Sequence, residues 1–198
     1  MLSRSFYLHP DVMFLARELL GKTLCTRIDG KRTSGMITET EAYAGVTDKA
    51  SHAFGGRRTK RTEVMYHRGG TAYIYLCYGM YSLFNVVTNE EGIPHAILIR
   101  GIIPLEGIDV MKKRRRIDKI GKGFSNGPGK VAEALGIHFS HTGTDLAEIP
   151  SDPMKPAIWI EEVTQKPSPE HILSTPRIGV GYSGEDAKLP YRFLLKKK

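Results

Sequence analysis

Residues 73–87 read YIYLCYGMYSLFNVV. Tyr73, Tyr75 and Cys77 alternate with Ile74 and Leu76, and a period of two is that of a β-strand, whose successive side chains point to opposite faces. Gly79 permits the positive φ of a tight turn. The segment therefore predicts an antiparallel hairpin with Tyr78 at or near its tip. Cross-strand packing accounts for aromatics along the strands, here Tyr73, Phe84 and Tyr81. It does not account for Tyr78, because a tip has little to pack against. A tip aromatic in a basic chain suits a wedge that enters a nucleic-acid groove and separates stacked bases.

The rest of the chain mixes helices with largely antiparallel strands. Val12, Leu15, Leu19 and Leu20 recur at helical spacing in 10–20, behind Pro10 and Asp11. Residues 22–29 and 32–43 alternate as strands about a DGK turn at 29–31. Residues 44–70 are polar, Gly-rich and basic, and predict a long functional loop. A strand over 95–103, a helix over 105–116, and a short helix in VAEAL after GPGK (127–130) follow. AIWIEEV, RIGVGY and YRFLL predict further short strands. No regular βαβ alternation, repeat or linker appears, so the expected fold is α+β, a single domain over 1–198 built on a curved, largely antiparallel sheet with a protruding hairpin.

Charge narrows the partners. The net charge is +8, and RRTKR (57–61), KKRRR (112–116) and KKK (196–198) concentrate it. A compact basic domain suits a polyanion, and nucleic acid above all. Apolar runs are too short to span a bilayer, and MLSRSFYLHPDV lacks a signal peptide's apolar stretch. The expectation is a soluble protein without a membrane partner. Cys25 and Cys77 lie in apolar segments with no metal-ligand spacing and are expected to be small buried thiols.

Three segments besides the hairpin could carry chemistry. In ITETEAYAG (37–45), strand geometry puts Glu39, Glu41 and Tyr43 on one face. Two carboxylates buried together repel. The segment is either a solvated strand face or a general base beside a pocket wall. In SHAFGGRRTKRT (51–62), His52 could hydrogen-bond a base or phosphate, or lie on the surface as a polar residue. GKGFSNGPGK (121–130) fails as a Walker A loop, because Phe124 takes the first glycine's place and Val131 follows the lysine. Lys130 near a helix start could still hold a phosphate. His138 and His141 lack a third ligand at suitable spacing, so neither metal nor cofactor is expected.

ETEAY (39–43), SHA (51–53), GTAYIYLCYGMYSLFNVV (70–87), ILIRGIIPLEG (97–107), GPGK (127–130) and RIGVG (177–181) occur in this order. Together they resemble the alkyladenine (3-methyladenine or alkylpurine) DNA glycosylase family, over roughly residues 10 to 195, in a bacterial-type form. The resemblance implies a monofunctional base-excision repair hydrolase that flips alkylated or deaminated purines out of duplex DNA and cleaves the N-glycosidic bond with an activated water. It implies Glu41 as the general base, with Arg100 and the backbone carbonyl of Ile178 holding the water. Tyr43, His52 and Tyr75 would line the pocket, and Asn85 would crowd the purine 2-position. Tyr78 would be the intercalating wedge, with Met65 and Lys130 as further DNA contacts. The expected partner is damaged double-stranded DNA bound by a monomer, in the cytoplasm and associated with the nucleoid, or in a nucleus in a eukaryote. Residues 59–62 depart from the family pattern, reading TKRT where it has roughly T-P-R-N. A looser loop over 57–68, or one that meets DNA differently, is expected. A non-catalytic damage-binding module and a hydrolase of free nucleosides compete with this reading. The first leaves the Glu-Tyr-His-Arg constellation unexplained, and the second leaves the tip tyrosine and the basic runs unexplained.

Overall fold

A computed structural model describes residues 1–121, 123–163 and 166–196. In chain order the elements are α1 (Arg4–Tyr7), α2 (Val12–Glu18), β1 (Thr23–Ile28), β2 (Lys31–Tyr43), β3 (Ala72–Cys77), β4 (Tyr81–Thr88), β5 (His95–Glu106), α3 (Ile108–Arg115), α4 (Pro128–Leu135), β6 (Ala157–Glu161), β7 (Ile172–Thr175) and β8 (Arg192–Leu195). The strands form one sheet in the order β3-β4-β5-β2-β1-β6, with β8 paired to β2 and β7 to β8. Every pairing is antiparallel. The fold is α+β.

β2 organises the sheet. β5 covers one of its edges from Ser34 to Tyr43. The opposite edge is shared: β1 pairs Lys31–Met36, and β8 pairs Glu39, Thr40 and Glu41. Register shifts against β5 at Ile37/Glu39 and Glu39/Thr40 mark bulges beside the two glutamates, the kind of irregularity that re-aims side chains. The two sheet faces then divide by parity. Ile74, Phe84, Val86, Ile97, Ile99 and Ala42 enter the main core, with Leu15 and Ala16 of α2 and Val131 and Leu135 of α4. Asp11 caps α2 by accepting the N–H groups of Met13 (2.9 Å) and Phe14 (3.0 Å), which satisfies two donors that a helix start leaves free.

The predicted hairpin forms in the register Tyr73↔Asn85, Tyr75↔Leu83 and Cys77↔Tyr81. Its turn has φ of 52° at Tyr78 and 69° at Gly79, with the Met80 N–H bonded to the Cys77 carbonyl at 3.1 Å. The Asp29–Gly30 turn between β1 and β2 likewise has two positive φ values.

Several expectations are corrected. RIGVGY is not a strand. Gly179, at φ 77°, breaks extension, and the chain continues as a 3-10 segment, Gly181–Lys188. β7, just upstream, was not anticipated. The helix expected from 105 starts at Ile108, because β5 runs on to Glu106 and Gly107 turns at φ 70°. The helix expected in VAEAL begins earlier, at Pro128, where proline's missing N–H is harmless.

KKRRR is only partly a solvent-facing cluster. Arg114 donates to the carbonyls of Ile28 and Ala134 and to Thr33, while Arg115 pairs with Glu133 and donates to the Phe124 carbonyl. Of the KKK run, Lys197 and Lys198 lie outside the described residues, as does Lys122 of GKGFSNGPGK. Cys25 is buried, but Cys77 is only half-buried, and both are free thiols. Among the described residues, no helix is long and apolar enough to cross a membrane, and no group of three or more His, Cys, Asp or Glu could hold a metal ion.

Candidate active site in the hairpin cleft

The sheet parity that sends Ile74, Phe84 and Ile97 to the core sends Tyr73, Tyr75, Asn85, Leu98 and Arg100 to the other face. There they line a cleft of about 240 Å³ together with Tyr43, His52, Met65, Tyr78, Ile178 and Tyr182. That is at the small end of ligand pockets.

Glu41 is fully buried just behind this lining. Its Oε2 accepts from Tyr43 OH at 2.8 Å, and its Oε1 accepts from the Ile178 backbone N–H at 2.8 Å. Arg100 Nε lies 3.4 Å from Oε1. All three partners line the cleft. An ionised carboxylate has about four acceptor sites, so two donors and an ion pair leave capacity for a water. Burial first, and then the Glu41 charge, hold the Tyr43 phenol well above its ordinary range. Tyr43 therefore stays protonated and remains a donor.

Glu39 does share the Glu41 side of β2. Arg100 Nε donates to Glu39 Oε1 at 2.9 Å, and Arg192 Nε, from β8, donates to the same oxygen at 2.6 Å. Two arginines thus offset the repulsion between two carboxylates.

His52 is half-buried, with Nδ1 2.8 Å from Tyr73 OH. Burial, reinforced by the charges of Arg61 and Arg57, lowers its imidazole to about 4. Burial pushes the Tyr73 phenol up to about 12. Both partners are neutral at pH 7. The His52 and Tyr75 rings meet edge-on at 4.7 Å between centroids, and the Tyr73 and Tyr75 rings are 5.4 Å apart. Asn85, only 3% exposed, is pinned by Nδ2 donation to the carbonyls of Tyr73 (3.1 Å) and Leu83 (3.2 Å).

Tyr78 stands 88% exposed at the hairpin tip, with Met80 beside it at 70%. Met65, at 1% exposed, is part of the cleft wall. Lys130 is exposed in the first turn of α4, next to Pro128 of the cleft. The loop expected to be looser, or to meet DNA differently, is closed by Thr62, whose buried hydroxyl accepts the Thr59 N–H (2.8 Å) and donates to the Arg57 carbonyl (3.1 Å).

Sequence reasoning missed three contributors. Arg61 places its guanidinium 5.5 Å from the Tyr75 ring centroid. Asp48 and Arg177 form a fully buried ion pair behind Tyr43. RIGVG marked Arg177 only as part of a motif, and nothing local marked Asp48.

The family model for methylpurine-DNA glycosylase (MPG) matches residues 5–198. A protein of Chlamydia felis (strain Fe/C-56) named "Putative 3-methyladenine DNA glycosylase" is 50% identical over 199 residues, covering 100% of this chain and 97% of that protein. One of the same name from Desulfitobacterium hafniense (strain Y51) is 42% identical over 202 residues, covering 98% and 95%.

Proposed function

The chain belongs to the methylpurine-DNA glycosylase family, a family of hydrolytic DNA N-glycosylases, and from that premise we propose that it excises damaged purines, alkylated or deaminated, by flipping them into the hairpin cleft. The observation that carries this reading is Glu41, a buried carboxylate whose partners Tyr43, Arg100 and Ile178 are themselves cleft wall. Tyr43 and Tyr75 flank the inserted base, His52 offers it a hydrogen bond, and Asn85 crowds its 2-position. Tyr78 fills the gap left in the duplex. Extrusion costs a few kcal/mol, least for damaged or mispaired bases, and stacking on an aromatic returns on the order of 1–3 kcal/mol.

A water held by Glu41, Arg100 and the Ile178 carbonyl then attacks C1′. Its proton passes to Glu41, and the C1′–N bond breaks with its electron pair leaving on the base. The Glu41 charge also stabilises the oxocarbenium-like transition state. Water is the nucleophile. Among the described residues, none that lines the cleft is a lysine, so no Schiff base with the sugar is expected, and borohydride should trap no covalent adduct.

The deciding experiment is single-turnover cleavage of a duplex bearing one ethenoadenine or hypoxanthine, by wild type and by Glu41→Gln. Wild type should release the base, and the variant should bind the duplex yet cleave about 100- to 10,000-fold more slowly, the usual worth of a general base. No release by wild type on these lesions or on methylated DNA would leave a binding module as the better reading.

A further inference from the structure

Both hydrogen bonds that Glu41 accepts lead to one side chain. Arg177 immediately precedes Ile178, the donor to Oε1. Its guanidinium lies 4.8 Å from the ring centroid of Tyr43, the donor to Oε2. Its Nη1 donates at 2.9 Å to the carbonyl of Ala42, the residue between Glu41 and Tyr43. Asp48 grips the same guanidinium through Nη1 (2.5 Å) and Nη2 (2.8 Å). Asp48 also accepts the N–H groups of Ala44 (3.1 Å) and Ala50 (2.9 Å), and so shapes the loop that delivers His52. The Arg177 and Asp48 side chains are 0% and 1% exposed.

Stability alone does not explain this pair. Desolvating two charges offsets most of their attraction, and well-packed apolar replacements are often neutral or better. Arg177 Nε is also buried without a hydrogen-bond partner among the described residues, a further cost. An apolar pair could fill the space. It could not fix three stretches of backbone, 41–43, 44–50 and 177–178, at hydrogen-bond precision.

We infer that the Asp48–Arg177 pair is the positioning device of the catalytic carboxylate. It sets Tyr43 OH and the Ile178 N–H on the two oxygens of Glu41, and thereby decides which lone pairs face the attacking water. The inference rests on Glu41 acting as the general base. Misplacing a reacting group by about 1 Å can cost on the order of 100-fold in rate, so the device acts on chemistry rather than on binding.

The test uses the whole enzyme and a duplex with one ethenoadenine. Arg177→Lys keeps the charge and loses the planar fork, and Asp48→Asn keeps the shape and loses the charge. Both are gentler than removing one partner outright. At saturating enzyme the single-turnover rate constant should fall about 10- to 100-fold in each. Affinity, measured with the same changes in the Glu41→Gln background, should stay within about threefold. The double variant should be no slower than the worse single one, because the pair acts as a unit. A merely structural role would lower the competent fraction and leave the saturated rate constant at its wild-type value, and that result overturns the inference. Multiplicative losses in the double variant, or an affinity loss as large as the rate loss, overturn it as well. If wild type and Glu41→Gln cleave alike, it is the proposed function that fails. If they differ while Arg177→Lys cleaves like wild type, only the positioning role fails.

Discussion

His52 and Tyr43 show how burial assigns roles to ordinary side chains. His52 is held near 4 by burial and two neighbouring arginines, so at pH 7 it is a neutral hydrogen-bonding group. Its folded value lies below the unfolded value of about 6.5. The unfolded chain therefore binds more protons between those values, and native stability is lost as pH falls from about 6.5 to 4. His52→Gln should lower the unfolding temperature less than wild type on going from pH 7.5 to pH 5. His95 and His141 are shifted down by burial too, so the variant's profile flattens without becoming flat. Tyr43→Phe keeps the ring and removes the donor to Glu41. Hydrogen bonds to charged groups are worth about 1.5–3 kcal/mol, so single-turnover cleavage should slow about 10- to 100-fold with lesion binding retained. ETEAY made Glu39, Glu41 and Tyr43 legible as neighbours, since strand parity is a local property. Their stabilising partners were not legible, because Ile178 is 137 residues from Glu41 and Arg177 is 129 from Asp48, and periodicity carries no information over such separations.

Among the elements, the hairpin was the most readable and RIGVGY the least. Alternation put Tyr73 and Tyr75 on one face and Ile74 on the other, which the structure makes the cleft face and the core, and Gly79 marked the turn. RIGVGY has the β-branched composition of a strand, yet Gly179 at positive φ ends any extension and frees the Ile178 N–H for Glu41. KKRRR read as a charged surface because composition cannot reveal that Arg114 turns inward to cap carbonyls. The hairpin tip also carries a cost. Tyr78 sits at φ 52°, a region that non-glycine residues occupy at about 1–3 kcal/mol. Tyr78→Gly should therefore stabilise the free protein by about 1 kcal/mol, read by denaturant unfolding. The same change removes the aromatic, so preference for damaged over undamaged duplex should fall about fivefold or more, as lost stacking of about 1–3 kcal/mol requires. Equal losses on both duplexes would make Tyr78 a packing residue instead.

For the whole molecule, the 29 lysines and arginines are less available to a polyanion than their count suggests. Arg115 and Arg177 are paired to carboxylates, Arg58 pairs with Glu63, and Arg114 caps backbone. Arg57 and Lys60 are exposed, and under the proposed function they are the phosphate contacts expected from this loop. Alanine at either should reduce the salt dependence of duplex binding by about one unit of log–log slope. Arg114→Ala should leave that slope unchanged and lower the unfolding temperature. β8 adds a consequence in time. Glu41 is made early in synthesis, and β5 pairs one of its edges, but the Ile178 N–H follows it by 137 residues and Arg192 follows Glu39 by 153, with β8 closing the other edge. Such long closures form late. A chain stalled on the ribosome or clipped before residue 178 holds the carboxylate without the donor to its Oε1. On the proposed mechanism, an unfinished copy of this glycosylase is therefore expected to be unarmed until its last strand docks.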